Sequence, residues 1–148
     1  MTDGAVFPDA DNPIVRLCAA GMAIEGDTAA ARELFSEAWA LHRDDYEACI
    51  AAHYLARHQT TAEDTLRWNA VAVHHAEAVA DGRVYGFLAS LYLNLAESHR
   101  VIGDETEAIA AADRARQALV HLPAGGYRDF VAGAIARLDT RLGGQHTR

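Results

Sequence analysis

Apolar residues recur at intervals of three and four along most of the chain, which is the pattern of amphipathic α-helices. Alternating apolar and polar runs of strand length are absent. Helix-starting and helix-ending residues divide the pattern into seven predicted helices, over about 13–24, 27–42, 45–58, 60–81, 84–102, 104–121 and 127–142. The sequence therefore predicts an all-α fold.

Several polar residues are placed as N-caps, which accept hydrogen bonds from the free backbone N–H groups of a first turn. The candidates are Asp27, Asp44 or Asp45, Thr60 with Glu63 at capping-box spacing, and Asp104 with Glu107. Pro13 suits the first position of a helix that Asn12 would cap.

Two of the predicted helix pairs repeat one spacing of residue types at a distance of 77 residues. The spacing is bulky, bulky, small, large on the first helix, a turn glycine, and then small and large residues on the second. The first copy is Val15, Cys18, Ala19, Met22, Gly26, Ala31, Phe35 and Ala38; the second is Tyr92, Leu95, Ala96, His99, Gly103, Ala108, Ala112 and Ala115. Ala19 and Ala96 are expected where the paired helices touch.

A middle copy is incomplete. Its first helix carries Cys49, Ala52, His53 and Ala56, which lie 34 residues after their counterparts in the first copy. The last copy follows 43 residues later, so nine residues are extra. Because the fourth helix is predicted to be long, the extra residues are expected in a lengthened hairpin.

This spacing resembles the tetratricopeptide repeat over roughly residues 12–142, and in detail the small alanine- and arginine-rich members from actinobacteria. The resemblance implies a right-handed α-α superhelix of hairpins. Repeats are expected near 12–45, 46–88 and 89–122, followed by a capping helix over 127–142, with flexible tails over 1–11 and 143–148. No repeat carries the family's tryptophan at its usual place, and Ala19, His53 and Ala96 replace the family's glycine.

The chain has 148 residues and a formal net charge of −8, which disfavours nucleic-acid binding because that needs a basic surface. Cys18 and Cys49 fall on apolar helix positions and are expected to be buried, reduced thiols. No secretory signal is seen at the N-terminus and no apolar run is long enough to span a membrane, so a cytoplasmic protein without membrane contact is expected.

The family resemblance implies a non-enzymatic module that binds a peptide or a partner helix in a concave groove. The groove-facing residues carried over from the family are Arg16, Glu47, Tyr54, Arg57, His58, Asn94, Glu97 and Arg100. Each of them would also fit an ordinary solvated helix face. The family's clamp for a peptide C-terminus is incomplete, so the identity of the partner stays open, and a homodimer through a terminal hairpin is a further possibility.

The alternative is a small-ligand-binding protein or an enzyme with a pocket between the fourth and fifth helices. Its candidate residues are Trp68, Asn69, His74, His75 and Tyr85. The spacing of the eight histidines does not favour a metal site, and no catalytic motif is found. No cofactor is therefore expected.

Overall fold

The structure, a computed structural model, describes the backbone of residues 9–146 and the side chains of residues 9–143. Within that range the chain forms seven α-helices and no strand, which confirms the predicted all-α class. The helices are α1 (Pro13–Ala23), α2 (Thr28–Leu41), α3 (Asp45–Ala56), α4 (Ala62–Ala78), α5 (Leu88–Val101), α6 (Glu105–Ala118) and α7 (Gly126–His146), with one 3-10 turn at Leu119–His121.

The helices pack as three consecutive hairpins, α1 with α2, α3 with α4, and α5 with α6. The second helix of each hairpin contacts the first helix of the next, and α7 packs against both α5 and α6. This neighbour order is the one expected for stacked hairpins. It places α1, α3, α5 and α7 on one side of the stack, which we call the first-helix face.

Most of the predicted caps hold the starts of their helices. The Asn12 side chain accepts from the backbone N–H groups of Ile14 and Val15, and Asp27, Asp44 and Asp104 each accept one such bond in their own helices. The cap predicted at Thr60 is wrong. Thr61 caps α4 instead and accepts from the N–H of Asp64, so the three-residue capping spacing is kept but begins one residue later.

The predicted insertion extends α4 and the connection after it. Helix α4 has 17 residues against 14 in α2, and residues 79–87 join it to α5, which begins four residues later than predicted. The connection is anchored by Arg83, whose guanidinium lies 4.3 Å from the ring centre of Tyr46, and by Tyr85, which stacks on His121. Helix α1 packs on α3 and α5 on α7, but no comparable contact joins α3 to α5.

Small residues let the helices of a hairpin approach, as predicted for Ala96, which is fully buried. The prediction for Ala19 is wrong, since its side chain is exposed. No described helix covers the outer side of α1, and the close contact lies instead at Gly21, where an added Cβ would come within 2.5 Å of Phe35 Cε1. Cys18 and Cys49 are buried free thiols as predicted, and burial raises the pKa of each to about 12.

Gly26 and Gly103 both immediately precede an N-cap aspartate, but only Gly103 has a positive φ, of +88°. Gly103 ends α5 in a Schellman motif, in which the N–H of Asp104 bonds the carbonyl of His99 at 2.9 Å. The two bends are therefore equivalent in place and different in backbone geometry.

The predicted C-terminal tail also needs correction, because α7 continues through His146, past its predicted end at residue 142. No proline interrupts these residues, and the glycines among them weaken a helix without breaking it. Residues 1–8 of the predicted N-terminal tail and residues 147–148 lie outside the described range. None of the described helices is long and apolar enough to cross a membrane.

Candidate functional site

The gap between α3 and α5 forms a cavity of about 290 Å³ that opens on the first-helix face. All four helices of this face contribute to its wall, together with Phe87 from the connection before α5. The lining residues are Met22, Ile50, His53, Tyr54, Arg57, Phe87, Ser90, Leu91, Leu93, Asn94, Tyr127, Phe130 and Val131. Most of this surface is aliphatic or aromatic, so we call the space the apolar cavity.

Two further hollows, whose walls carry more polar side chains, adjoin the apolar cavity. One, of about 250 Å³, lies among α3, α4 and α5 and is lined by His53, Ala56, Arg57, Thr65, Asn69, Asn94, Glu97 and Ser98. The other, of about 280 Å³, lies between α5 and α7 and is lined by Leu93, Asn94, Glu97, Ala134, Arg137, Leu138 and Arg141. Asn94 borders all three spaces. We call the three spaces together the groove.

The structure brings four of the predicted binding residues to the groove: Tyr54, Arg57, Asn94 and Glu97. Arg100 lies behind Glu97, whose carboxylate it holds through two hydrogen bonds of 3.1 and 2.5 Å. Asn94 stands apart from the others, because its side-chain amide has no hydrogen-bond partner among the described residues. The amide is therefore available, with its donor and its acceptor, to a bound molecule.

The prediction for Glu47 is corrected, because its side chain is only 1% exposed and lies inside the fold. Its carboxylate accepts from Asn12 Nδ2 at 2.8 Å, from the backbone N–H of Arg43 at 2.8 Å, and from the Arg43 guanidinium. These bonds, first of all those from the Arg43 side chain, lower the pKa of Glu47 to about 2 although burial opposes the shift. Glu47 thus ties the start of α1 to the start of α3 and cannot contact a partner.

Two further predicted residues lie away from the groove. His58 packs on Phe35 with ring centres 5.4 Å apart and donates from Nε2 to Glu25 at 2.8 Å. Arg16 is exposed on α1, where it donates to the carbonyl of Ala10 and pairs with Asp11 at 3.7 Å. Spacing along the chain could not show these neighbours, which lie on α2, after α1 and before α1.

Glu25, two residues after the end of α1, fixes the orientation of Arg57. Two hydrogen bonds of 2.9 Å join Arg57 to the Glu25 carboxylate, and the guanidinium lies 5.9 Å from the ring centre of Tyr54. Burial would raise the pKa of Glu25, but the hydrogen bonds from Arg57 and His58 outweigh it and lower the pKa. Arg57 is therefore held at the edge of the apolar cavity with half of its side chain exposed.

His53 separates the apolar cavity from the polar hollow among α3, α4 and α5. Its Nδ1 is buried without a hydrogen-bond partner among the described residues. Burial, and then the nearby charge of Arg57, lower the pKa of His53 to about 4, so the ring is neutral at pH 7. A neutral ring leaves this wall of the cavity uncharged.

The contribution of α7 to the groove was missed at the sequence level. Tyr127, Phe130 and Val131 line the apolar cavity, and the Tyr127 hydroxyl shares a hydrogen bond of 2.6 Å with that of Ser90 on α5. Phe130 is 67% exposed at the edge of the cavity. Three apolar residues at this helical spacing also fit ordinary core packing, so the sequence carried no distinct signal for them.

The residues of the alternative pocket come together only in part. Trp68 and His75 face Trp39, with ring centres 5.1 and 5.9 Å away, and His74 contacts the ring of His75. Tyr85 lies elsewhere and stacks on His121. Asn69 alone of the five borders the groove, where it donates to Ser98 Oγ at 2.8 Å. Across the described part of the chain, no group of three histidine, cysteine or acidic side chains could hold a metal ion.

Comparison of the chain with known protein families, with curated proteins and with solved structures finds no match.

Proposed function

We propose that this chain is a tetratricopeptide-like interaction module that holds an extended segment of a partner protein in the groove. The observation that carries the proposal is the apolar cavity, whose wall combines residues of α1, α3, α5 and α7. A site shared by successive hairpins is the form in which helical arrays present binding surfaces. The predicted spacing and the observed order of hairpins support the same family assignment.

The shape and the chemistry of the groove favour a peptide. The apolar cavity can take one bulky side chain, and the polar hollows beside it leave room for the neighbouring residues. The Asn94 amide, which has no partner among the described residues, offers its N–H donors and its carbonyl acceptor to the backbone of an extended segment. Phe130 at the edge presents apolar surface that a partner would cover.

Selection from a displayed library of short random peptides tests this function. We expect the wild-type protein to retain peptides that compete with one another for a single site. Asn94→Trp should abolish their retention, because the indole would fill the point where the three spaces meet. Ser36→Trp, on the exposed side of α2, is the control and should retain the same peptides.

Two outcomes would overturn the proposal. One is a selection that enriches no peptide, and the other is a set of peptides that Asn94→Trp binds as well as the wild type does. Thermal unfolding of both tryptophan variants would show whether a loss of binding comes from a loss of folding.

The setting that fits this function is the cytoplasm. The two buried thiols, Cys18 and Cys49, are unpaired, as is usual for proteins in a reducing compartment. Fractionation of the native cells, with detection of the protein in the soluble cytoplasmic fraction, tests this part of the proposal. Association of two copies through a terminal hairpin stays a prediction, which sedimentation at several concentrations would check.

A further inference from the structure

We infer that the partner segment carries one bulky apolar residue with acidic side chains close to it in sequence, and that Arg137 and Arg141 on α7 bind those acidic groups. This inference rests on the proposed function and adds to it the chemistry of the partner. It depends on two features of the groove, an apolar end and a basic end, and on the residues that join them.

The apolar end sets the size of the anchor. Ile50, Leu91 and Val131 line the cavity together with the aromatic rings of Phe87 and Phe130. Its volume of about 290 Å³ is at the lower limit of the roughly 300–1,000 Å³ that is usual for sites that enclose a whole small molecule. A single leucine, methionine or phenylalanine side chain, entering from the open face, suits such a space.

The basic end gives the charge of the partner. Among the described residues, four arginines lie in the groove wall or directly behind it, and two carboxylates pair with them; the arginines are Arg57, Arg100, Arg137 and Arg141, and the carboxylates are Glu25 and Glu97. The chain as a whole has a formal net charge of −8, so the groove has the opposite sign to the protein around it. A partner segment with negative charge would complement it.

Arg137 and Arg141 are the cations with the least compensation. Arg137 makes no ion pair with any residue that the structure describes. Arg141 reaches Glu97 only at 3.5 Å, and Arg100 already holds that carboxylate through two shorter bonds. The two arginines are one helical turn apart on α7 and line the same hollow, so they can bind one or two carboxylates together.

Leu93 and Asn94 place the two ends side by side. Both residues border the apolar cavity and also the hollow that Arg137 and Arg141 line. A segment whose anchor enters the cavity must therefore pass Asn94 to leave along α7. The acidic residues are accordingly expected within a few positions of the anchor and inside the segment, with no need for a free C-terminus.

The peptides recovered from the displayed library provide the test, since their C-termini are joined to the display protein. We expect them to share one large apolar residue with aspartate or glutamate nearby. Fluorescein-labelled copies of these peptides should bind Arg137→Glu/Arg141→Glu about tenfold more weakly than the wild type, a change of about 1.4 kcal/mol. Their affinity for the wild type should also fall as salt is added.

The control for net charge is Arg32→Glu/Arg114→Glu, which reverses two exposed arginines on α2 and α6. This variant should bind the peptides as the wild type does. Groove-dependent peptides without acidic enrichment, or equal binding by the two charge-reversed variants, would overturn the inference and leave the proposed function in place. Peptides that Asn94→Trp still binds would overturn both.

Discussion

The two ends of α3 differ in whether a buried polar side chain has hydrogen-bond partners. At the N-terminal end, Glu47 receives hydrogen bonds from Asn12 and from the backbone and side chain of Arg43. Toward the C-terminal end, His53 faces the groove and its buried Nδ1 has no described partner. The first arrangement stabilises the fold, whereas the second is tolerated at a cost of about 1–3 kcal/mol. Such a cost is typical of the places that proteins use for binding.

Glu47→Gln should produce the largest loss of stability. The substitution keeps the shape of the side chain but removes the negative charge that pairs with the Arg43 guanidinium and accepts a hydrogen bond from Asn12. We expect the free energy of unfolding to fall by about 3 kcal/mol, the lower end of the range for a broken buried pair, because Arg43 itself is largely exposed. Urea denaturation measures this, with Glu33→Gln on the exposed side of α2 as the control. A loss below about 1 kcal/mol would show that the bonds of Glu47 are not what holds the two helix starts together.

Acid should affect the two ends of α3 in successive pH ranges. The pKa of His53 is lowered to about 4 in the folded protein, so the unfolded chain binds a proton first and stability falls between about pH 6.5 and 4. We expect a loss of about 2 kcal/mol, less than the full shift implies because the ring is partly exposed. The pKa of Glu47 is lowered to about 2, so its contribution is complete above pH 4.5 and is lost as the pH falls toward 2.

Unfolding measured in urea at a series of pH values separates these contributions. His53→Leu should remove the loss between pH 6.5 and 4 and keep the loss at lower pH. His74→Leu, an exposed histidine on α4, is the matched control and should leave the profile unchanged. If His53→Leu retained the wild-type profile, the environment of His53 would not differ from that of a solvated histidine.

The comparison of the two ends also explains what the sequence could predict. Caps such as Asp27 and Asp104 act within one turn of the chain, so local spacing was enough to find them. The partners of Glu47 lie on two other segments, and its long-range bond to Asn12 crosses 35 residues. Spacing along one helix could not show that these segments would cover Glu47, and so a buried residue was predicted to face the groove.

The groove lies beside the middle hairpin, α3 with α4. The sequence showed that nine residues were extra, but their effect on the distance between α3 and α5 is a property of the packed structure. Tyr54, Arg57 and Asn94 were predicted from the resemblance to tetratricopeptide repeats, and the structure places all three in the wall of the apolar cavity. Phe130 and Arg137 were missed, because α7 was interpreted only as a cap over the last hairpin.

Tyr46, at the N-terminal end of α3, departs from the compensation found at Glu47. The Tyr46 hydroxyl is buried without a described partner, and burial raises its pKa to about 12. Removing the hydroxyl should therefore leave the free energy of unfolding unchanged or raise it by up to about 1 kcal/mol. Tyr92→Phe is the control, for which a change of the opposite sign is expected. Tyr92 donates to Glu77 at 2.6 Å, so the free energy of unfolding of this variant should fall by about 1 kcal/mol. A loss in Tyr46→Phe equal to that in Tyr92→Phe would mean that the Tyr46 hydroxyl is paired in solution.

Asn94→Ala should have the smallest effect on stability. The Asn94 amide has no hydrogen-bond partner among the described residues, so its removal should change the free energy of unfolding by less than about 0.5 kcal/mol. Asn69→Ala is the matched control, since the buried Asn69 amide bonds Ser98 Oγ at 2.8 Å and its loss should cost about 1–3 kcal/mol. Binding of the selected peptides should show the reverse order, with the larger loss in Asn94→Ala. Equal destabilisation by the two alanine variants would show that Asn94 stabilises the fold. The amide at which the three spaces of the groove meet would then not be available to a bound molecule.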